Sequence, residues 1–235
     1  MDDLLRVGRV PLLDDVPRLV HGFEQRTSPA GESREDARAR VARALDGRGR
    51  LLLLKQVHGC RLVAAPWEGR PEGDAAVSTG RGALLGIETA DCLPVFVVDP
   101  RRGAVAAAHA GWRGTVAGVA RTAVRALVEA GSAPSDLLAA LGPSIGPCCY
   151  EVGEDVREAF AEAGAPFFRP RPRGRPHLDV RAANHAQLLE EGLRPDHIAT
   201  VEDCTLCRAD LYHSYRRQGK AAGRMINFVG FDGRE

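Results

Sequence analysis

The apolar residues of this 235-residue chain occur in short runs, and several runs end abruptly in a polar or reactive side chain. The clearest cases are LLLLKQVHG (51–59), ALLGIETADCLPVFVVDP (83–100) and GAVAAAHA (103–110). Runs of this length are typical of buried β-strands, and none approaches the roughly 18 apolar residues of a membrane-spanning helix. The sequence therefore predicts a core rich in short strands.

Helical periodicity appears between these strands. The segment TVAGVARTAVRALVEAG (115–131) predicts a helix in which Thr115 is the N-cap and Gly131 provides a left-handed end. LDVRAANHAQLLEEG (178–192) predicts a second helix. Because strands and helices mix without strict alternation, we expect an α+β fold in which helices cover mixed β-sheets, within one domain spanning residues 1–235.

Charge and composition exclude several classes of partner. The chain has 32 Lys and Arg against 31 Asp and Glu, a net charge of +1, so no global attraction to nucleic acid or to a membrane is expected. The acidic N-terminal segment MDDLLRVGRVPLLDD lacks the apolar core of a signal peptide. We expect a cytoplasmic monomer or weak homodimer whose six cysteines form no disulfide framework.

Three predicted strands end in side chains that could share one site, namely His58, Cys92 and His109. Two imidazoles and a thiolate are ligands that zinc prefers, and three protein ligands would leave a fourth position open. The same atoms allow a second interpretation, in which Cys92 is a nucleophile and His109 its base, with Asp91 or Glu88 orienting the ring. In a third, all three are simply buried, but Asp91 argues against it because aspartate is rarely buried without a partner.

Other polar segments are less specific. Arg113 precedes the predicted helix, where a guanidinium and free backbone N–H groups would suit an anion. LYHSYRR (211–217) could surround an anionic, aromatic ligand or form a surface loop. The adjacent Cys148 and Cys149 are not expected to face one ion, and CTLC (204–207) without a second such pair predicts no zinc ribbon.

Several motifs together resemble those of the YfiH-like family, which also carries the names polyphenol oxidase or laccase, peptidoglycan editing factor and purine nucleoside phosphorylase. They are KQVHG, TADCLPV, AAHAGWRG, GPSIGPCCYEVG, the CT and HSYRR segments and GRM, in the family's order between about residues 55 and 230. The resemblance implies a mixed α/β sandwich of the YfiH-like cysteine hydrolase type. It also implies a metal, usually zinc with copper as the alternative, on His58, Cys92 and His109.

The implied activity is phosphorolysis of adenosine, inosine and methylthioadenosine, with adenosine deamination as a side activity. The resemblance assigns catalytic roles to Cys92, His109, Asp91 and Arg113. The substrate-binding residues that it implies, for a purine nucleoside and phosphate, are Lys55, Gln56, Arg113, Tyr150, Tyr215 and Arg216. Two alternatives stay open: a cysteine-type amidase that edits a peptidoglycan precursor through Cys92 and His109, and a non-catalytic nucleoside-binding domain.

Two features bear on the family's names. The family's loop after HGF is shortened or missing here, in residues 24–34, which bears on whether a lid covers the substrate. A multicopper oxidase needs a cluster of paired imidazoles, whereas this chain has seven scattered histidines and no H-x-H pair. The sequence therefore argues against true laccase chemistry.

Overall fold

Thirteen β-strands carry the fold within residues 5–26, 32–170 and 174–234, the ranges that the computed structural model describes. They are β1 (Val7–Gly8), β2 (Leu19–Glu24), β3 (Arg50–Leu53), β4 (Leu62–Ala64), β5 (Ala75–Ser78), β6 (Ala83–Thr89), β7 (Leu93–Asp99), β8 (Ala104–Ala110), β9 (Leu138–Leu141), β10 (Phe168–Arg169), β11 (His177–Leu178), β12 (Ile198–Thr200) and β13 (Met225–Phe231). The three apolar runs of the sequence contain β3, β6, β7 and β8, as predicted.

The strands form two large sheets and one small one. The five-stranded sheet has the order β1-β2-β13-β6-β3, and the six-stranded sheet has the order β12-β9-β7-β8-β5-β4. Both are mixed: β3 pairs parallel to β6, and β12 parallel to β9, while most other neighbours are antiparallel. The predicted mixed β-sheets are therefore confirmed.

The two large sheets pack face to face, and the alternation of side chains along β7 shows how. Phe96 and Val98 point into a core shared with the five-stranded sheet, whereas Val95 and Val97 point to the opposite face. Phe23 of β2 stacks on Phe96 with ring centroids 4.7 Å apart. Because both faces of this strand are covered, it reads as a continuous apolar run rather than as an alternating one.

Helices cover the outer face of each large sheet. The described residues form the α-helices α1 (Pro11–Asp14), α2 (Arg34–Ala44), α3 (Trp112–Val116), α4 (Val119–Glu129), α5 (Glu154–Phe160), α6 (Val180–Glu190) and α7 (Tyr215–Gln218). The apolar sides of α4 and α6 pack on the six-stranded sheet, and that of α2 packs on the five-stranded sheet. The architecture is a sandwich of helix, sheet, sheet and helix layers, which confirms the predicted α+β class.

The predicted helix over residues 115–131 is divided in two. Gly118 adopts a φ of 77°, a left-handed conformation that ends α3 before α4 begins. Thr115 is not an N-cap, because it lies inside α3 and its hydroxyl donates to the carbonyl of Gly111 at 3.0 Å. The predicted start at Thr115 is therefore wrong, whereas the left-handed end at Gly131 is confirmed by its φ of 94°.

Two further sequence features concern loops and membranes. The shortened loop at residues 24–34 lies partly outside the described ranges. Among the described residues, no helix combines the length and the apolar character needed to cross a bilayer.

Candidate active site

The structure brings His58, Cys92 and His109 together, and we call these residues the His–Cys–His group. One ligand atom from each lies within 4.8 Å of the others. Sheet pairing explains the convergence: Leu93, at the start of β7, pairs with Ala110, at the end of β8. Cys92 and His109 are therefore neighbours at one edge of their sheet. The segment after β3 carries His58 to the same edge, and its ring lies 4.9 Å from that of His109, centroid to centroid.

A buried carboxylate, Asp74, organises this group. It accepts the backbone N–H groups of residues 57, 58 and 59 at 3.0, 2.9 and 2.8 Å, and it lies 2.8 Å from Nδ1 of His109. The three backbone bonds hold His58 at a left-handed φ of 64°. With Nδ1–H donated to Asp74, Nε2 of His109 is the nitrogen left to bind a metal or accept a proton.

Asp74 is not among the site residues that the sequence motifs predicted. The signal was present, because Asp74 stands directly before the apolar segment AAVS, just as Asp91 stands between apolar segments. Burial by itself would raise the pKa of Asp74, but the His109 and backbone hydrogen bonds outweigh it and lower the pKa. Asp74 is therefore an ionised acceptor behind His109.

The group is electrostatically coupled. Burial disfavours the thiolate of Cys92, yet the charges and hydrogen bonds of His109 and His58 lower its pKa to about 6. Burial likewise disfavours the imidazolium of His109, while Cys92 and Asp74 raise its pKa to about 9. The thiolate, which both metal binding and nucleophilic attack require, is thus favoured.

Close packing explains the glycine in the AHAGWRG motif. A Cβ on Gly111 would lie 3.0 Å from Sγ of Cys92 and 3.3 Å from Cδ2 of His58. The backbone φ of Gly111 is −69°, which any residue adopts, so the requirement is steric. Gly111 lets the two ligands approach from one side.

Asp91 lies beside the His–Cys–His group, and its carboxylate accepts hydrogen bonds from other residues of the protein. It accepts the hydroxyls of Thr205 at 2.6 Å and Ser214 at 3.0 Å, and the N–H of Arg216 at 2.7 Å. Its own φ of 88° is left-handed, and its backbone carbonyl accepts the N–H of Ile145. Asp91 therefore ties the CT and HSYRR segments to the edge of the sheet.

A cavity of about 680 Å³ has the His–Cys–His group in its wall. The expected substrate residues Lys55, Gln56, Tyr150, Tyr215 and Arg216 also line it. Lys55 and Gln56 already have protein partners. Lys55 pairs with Glu72 at 2.8 Å, and the side-chain amide of Gln56 bonds the backbone N–H and carbonyl of Glu88, both at 2.8 Å.

Arg113 is not among the residues that line the cavity. Its guanidinium carbon lies 4.1 Å from the ring centroid of Trp112. The expected anion site at this position depended on a helix starting at Thr115, but α3 starts at Trp112 and has only 5 residues. Other arginines line the cavity and are further candidates for contacts to an anion.

Four arginines that sequence analysis did not single out line the same cavity: Arg34, Arg38, Arg70 and Arg224. Arg38 donates to both oxygens of Glu88 at 2.9 and 3.2 Å, and Arg70 also donates to Glu88. The spacing of Arg34 and Arg38, four residues apart on α2, could have indicated a shared helix face. With Arg216, they give the cavity an excess of positive charge over Glu88 and Asp91.

Comparison with known proteins agrees with these motifs. Residues 27–232 match the family described as multi-copper polyphenol oxidoreductase laccase. The chain is 41% identical to a purine nucleoside phosphorylase of Deinococcus radiodurans, over 88% of this chain and 79% of that protein. It is 36% identical to adenosine deaminase RL5 of an unknown prokaryotic organism, over 76% of this chain and 74% of that protein.

A solved structure of similar sequence has the same fold. The crystal structure of YlmD from Geobacillus stearothermophilus superposes with a TM-score of 0.85 at 30% identity, covering 98% of this chain and 99% of that one. The chain therefore belongs to the multi-copper polyphenol oxidoreductase laccase family, the YfiH-like family that its motifs resemble.

Proposed function

We propose that this protein is a zinc-dependent purine nucleoside phosphorylase that acts on inosine, adenosine and methylthioadenosine, with adenosine deamination as a side activity. The relatives named above are nucleoside-processing enzymes. The observation that carries the proposal is the cavity of about 680 Å³, which joins the His–Cys–His group to several arginines. That combination suits a substrate pair consisting of a neutral nucleoside and an anion.

The donor set of the His–Cys–His group fits a zinc ion. Two imidazoles and one thiolate are common zinc ligands, and a carboxylate behind a ligand histidine is the usual supporting contact. His58, Cys92 and His109 would hold the ion, and Asp74 would keep Nε2 of His109 directed at it. When bound, zinc supplies a Lewis acid that polarises a substrate oxygen or activates water for the deamination branch.

Arginines supply the phosphate side. In phosphorolysis an oxygen of phosphate forms a bond to C1′ of the ribose, and the purine leaves with the electrons of the glycosidic bond. Arg216 suits this role because it lines the cavity and its Nη2 donates to the carbonyl of Glu151 at 2.9 Å, which fixes the guanidinium. Arg38 and Arg70 are already paired with Glu88, so we assign them to positioning.

Two other expected residues have narrower roles in this proposal. Burial and the nearby charge of Cys92 raise the pKa of Tyr150, so its phenol stays protonated and can donate a hydrogen bond to the leaving purine. Asp91 accepts three hydrogen bonds from the chain, so we assign it a positioning role rather than proton transfer.

The test is release of hypoxanthine from inosine by the purified zinc-loaded protein, with and without phosphate. We expect phosphate-dependent release that is lost in Cys92→Ala and kept in Cys60→Ala, since Cys60 lies outside the His–Cys–His group. Release without phosphate would identify a hydrolase instead. No release, combined with thermal stabilisation by inosine, would favour the non-catalytic binding domain.

A second candidate, a cysteine-type amidase acting on a peptidoglycan precursor, is favoured by one observation. Cys92, His109 and Asp74 form a nucleophile, base and orienting carboxylate in the order of a catalytic triad. In that mechanism the thiolate attacks an amide carbonyl and His109 protonates the departing amine. A stable adduct of a peptidyl electrophile on Cys92, formed equally fast with and without zinc, would support this candidate over phosphorolysis.

A further inference from the structure

The chain holds a second set of candidate ligands, apart from the active-site cavity, that the proposed function does not use. Cys148, Cys149, Cys204 and Cys207 have sulfur atoms that all lie within 4.8 Å of one another, and we call them the tetracysteine group. The expectation that adjacent Cys148 and Cys149 could not face one ion is therefore wrong.

Sheet topology explains why two distant segments meet there. The strands β9 and β12 run parallel side by side, with Leu141 opposite Thr200, so the loops that follow them leave the same edge. A parallel bridge joins Ser144 to Cys204, and the N–H of Thr205 donates to the carbonyl of Ser144 at 3.1 Å. The two loops, each with two cysteines, thus run together beyond the strands.

Two tight turns bring the sulfur atoms of the four cysteines close to one another. The N–H groups of Cys149 and Tyr150 both donate to the carbonyl of Gly146 at 2.9 Å, which folds the GPCC segment into a turn. Cys204 and Cys207 lie in a second turn with two residues between them, a spacing that recurs in structural zinc sites. Each turn therefore presents a pair of cysteines to the other.

The sulfur spacing matches a single tetrahedral ion. Bonds of about 2.3 Å from zinc place the sulfurs of a tetrahedron about 3.8 Å apart. Sγ of Cys207 lies 3.8 Å from that of Cys148 and 3.4 Å from that of Cys149. A cubic iron–sulfur cluster carries its cysteine sulfurs outside the cube and needs a wider arrangement, so the geometry favours one ion.

The surroundings suit the negative charge of four thiolates. The backbone N–H of Gly146 donates to Sγ of Cys204 at 3.2 Å, a contact that stabilises a thiolate. Arg181 is buried beside the group: a Cβ on Gly146 would lie 2.8 Å from its Nη2 and 3.3 Å from Sγ of Cys148. Zinc with four thiolates has a net charge of −2, which this guanidinium partly offsets.

We propose that Cys148, Cys149, Cys204 and Cys207 bind one zinc ion as a closed structural site. Binding releases the thiol protons and fixes the loops after β9 and β12 to each other. The site supports the cavity from behind, because Thr205 donates to Asp91 and Tyr150 lines the cavity. This inference does not rest on the proposed function.

The experiment uses the full-length Cys92→Ser protein, purified anaerobically, so that the His–Cys–His group contributes no thiolate. We expect about one zinc per chain by elemental analysis. We also expect cobalt(II) to give the intense visible ligand-field bands of a tetrathiolate site. Cys92→Ser/Cys207→Ser should lose both signals, and the matched control Cys92→Ser/Cys60→Ser should keep both. Cys207 is exposed, so its substitution by serine is compatible with folding, which circular dichroism checks.

Three results would overturn the proposal: no zinc and no cobalt bands in Cys92→Ser, cobalt bands of unchanged intensity in Cys92→Ser/Cys207→Ser, or an intact mass showing that the four cysteines pair as disulfides. Because the readouts are metal content and spectra, failure here is distinguishable from failure of the phosphorylase proposal.

Discussion

The His–Cys–His group and the tetracysteine group both gather ligand atoms within 4.8 Å, but they do so on different scaffolds. The first is carried on segments at strand ends and lies in the wall of the cavity. The second lies on two loops beyond parallel strands. Three protein ligands leave a coordination position for substrate or water, whereas four close the ion off. On our two proposals, the His–Cys–His group is the catalytic metal site and the tetracysteine group is a separate structural metal site.

The supporting contacts differ in the same way. A buried carboxylate, Asp74, orients His109 and so determines which nitrogen is free. The tetracysteine group instead has a backbone donor at Gly146 and a cation, Arg181, around it. A negative partner raises the basicity of a ligand, and positive partners stabilise a thiolate cluster that is already complete.

Chelator titration should separate the two centres most clearly. As chelator is added to the zinc-loaded protein, we expect phosphorolysis to fall to the level of Cys92→Ala while the melting temperature changes little. The reason is that a three-ligand ion in a cavity wall is more accessible than an ion closed off by four thiolates. At higher chelator concentration the second zinc should leave, and the melting temperature should then fall.

Zinc content, activity and melting temperature are measured on the same samples. Loss of stability before loss of activity would reverse our assignment of the two centres. Simultaneous loss of both would show that the groups are not independent.

The exchange Asp74→Asn should weaken the first centre only. An amide cannot accept all four hydrogen bonds that the carboxylate accepts, so His109 loses its fixed orientation. We expect zinc affinity at the His–Cys–His group to fall about tenfold to a hundredfold, as for other outer-shell partners. Competition with a colorimetric chelator measures that affinity, and the tetracysteine zinc should be unaffected.

Asp91→Asn is the matched control, because Asp91 is also a buried acid with several donors, and its carboxylate hydrogen-bonds none of the three ligands although it directly precedes Cys92. It should lower thermal stability and leave zinc affinity within about threefold. Equal effects of the two substitutions on zinc affinity would contradict the role assigned to Asp74.

Much of the first centre could be predicted from sequence, and the reasons are local. His58, Cys92 and His109 stand where apolar runs end, and such ends mark the edge of a buried sheet. Asp74 could not be paired with His109 in this way, because their contact depends on the register of β5 against β8, with Ala75 opposite Ala108. The register between two strands that are distant in the sequence cannot be inferred from the sequence of either strand alone.

The helix at 115–131 and the tetracysteine group show two other limits. The apolar spacing of that helix continues across Gly118, so periodicity could not reveal a break caused by one left-handed glycine. The four cysteines have no zinc-ribbon spacing because two of them come from a tight turn and two from a CTLC segment after a neighbouring parallel strand. Only that pairing brings them together.

Adding a methyl group at one glycine in each centre should sharpen the comparison. In Gly111→Ala the new Cβ would lie 3.0 Å from Sγ of Cys92, which is held by its sheet, so the ligand has little room to move. Overpacking of this kind costs about 1–3 kcal/mol, and we expect zinc affinity at the first centre to fall about tenfold. Gly146→Ala first meets Nη2, at the far end of the long Arg181 side chain, rather than a metal ligand, and should cost less.

Gly59→Ala is the control for the first centre, since the nearest atom to its Cβ would be Oδ2 of Asp74 at 3.8 Å, an ordinary contact. Zinc titrations of the three variants give the comparison. A larger loss of affinity at the second centre in Gly146→Ala than at the first in Gly111→Ala would show that the loop scaffold is the more rigid one.

The smallest expected effect tests whether the centres communicate through Thr205, which follows Cys204 and donates to Asp91 at 2.6 Å. Thr205→Val removes that bond while keeping the shape of the side chain. If the structural zinc positions Thr205, loss of the zinc in Cys207→Ser already weakens the hydrogen bond from Thr205 to Asp91. The two substitutions together should then lower the free energy of unfolding by less than the sum of their separate effects. We expect a coupling of about 0.5–1 kcal/mol in the free energy of unfolding by denaturant.

Ser33→Ala, which removes the cap of α2, should combine with Cys207→Ser additively. If the effects of Thr205→Val and Cys207→Ser on the free energy of unfolding are fully additive, the two centres are not coupled through Thr205.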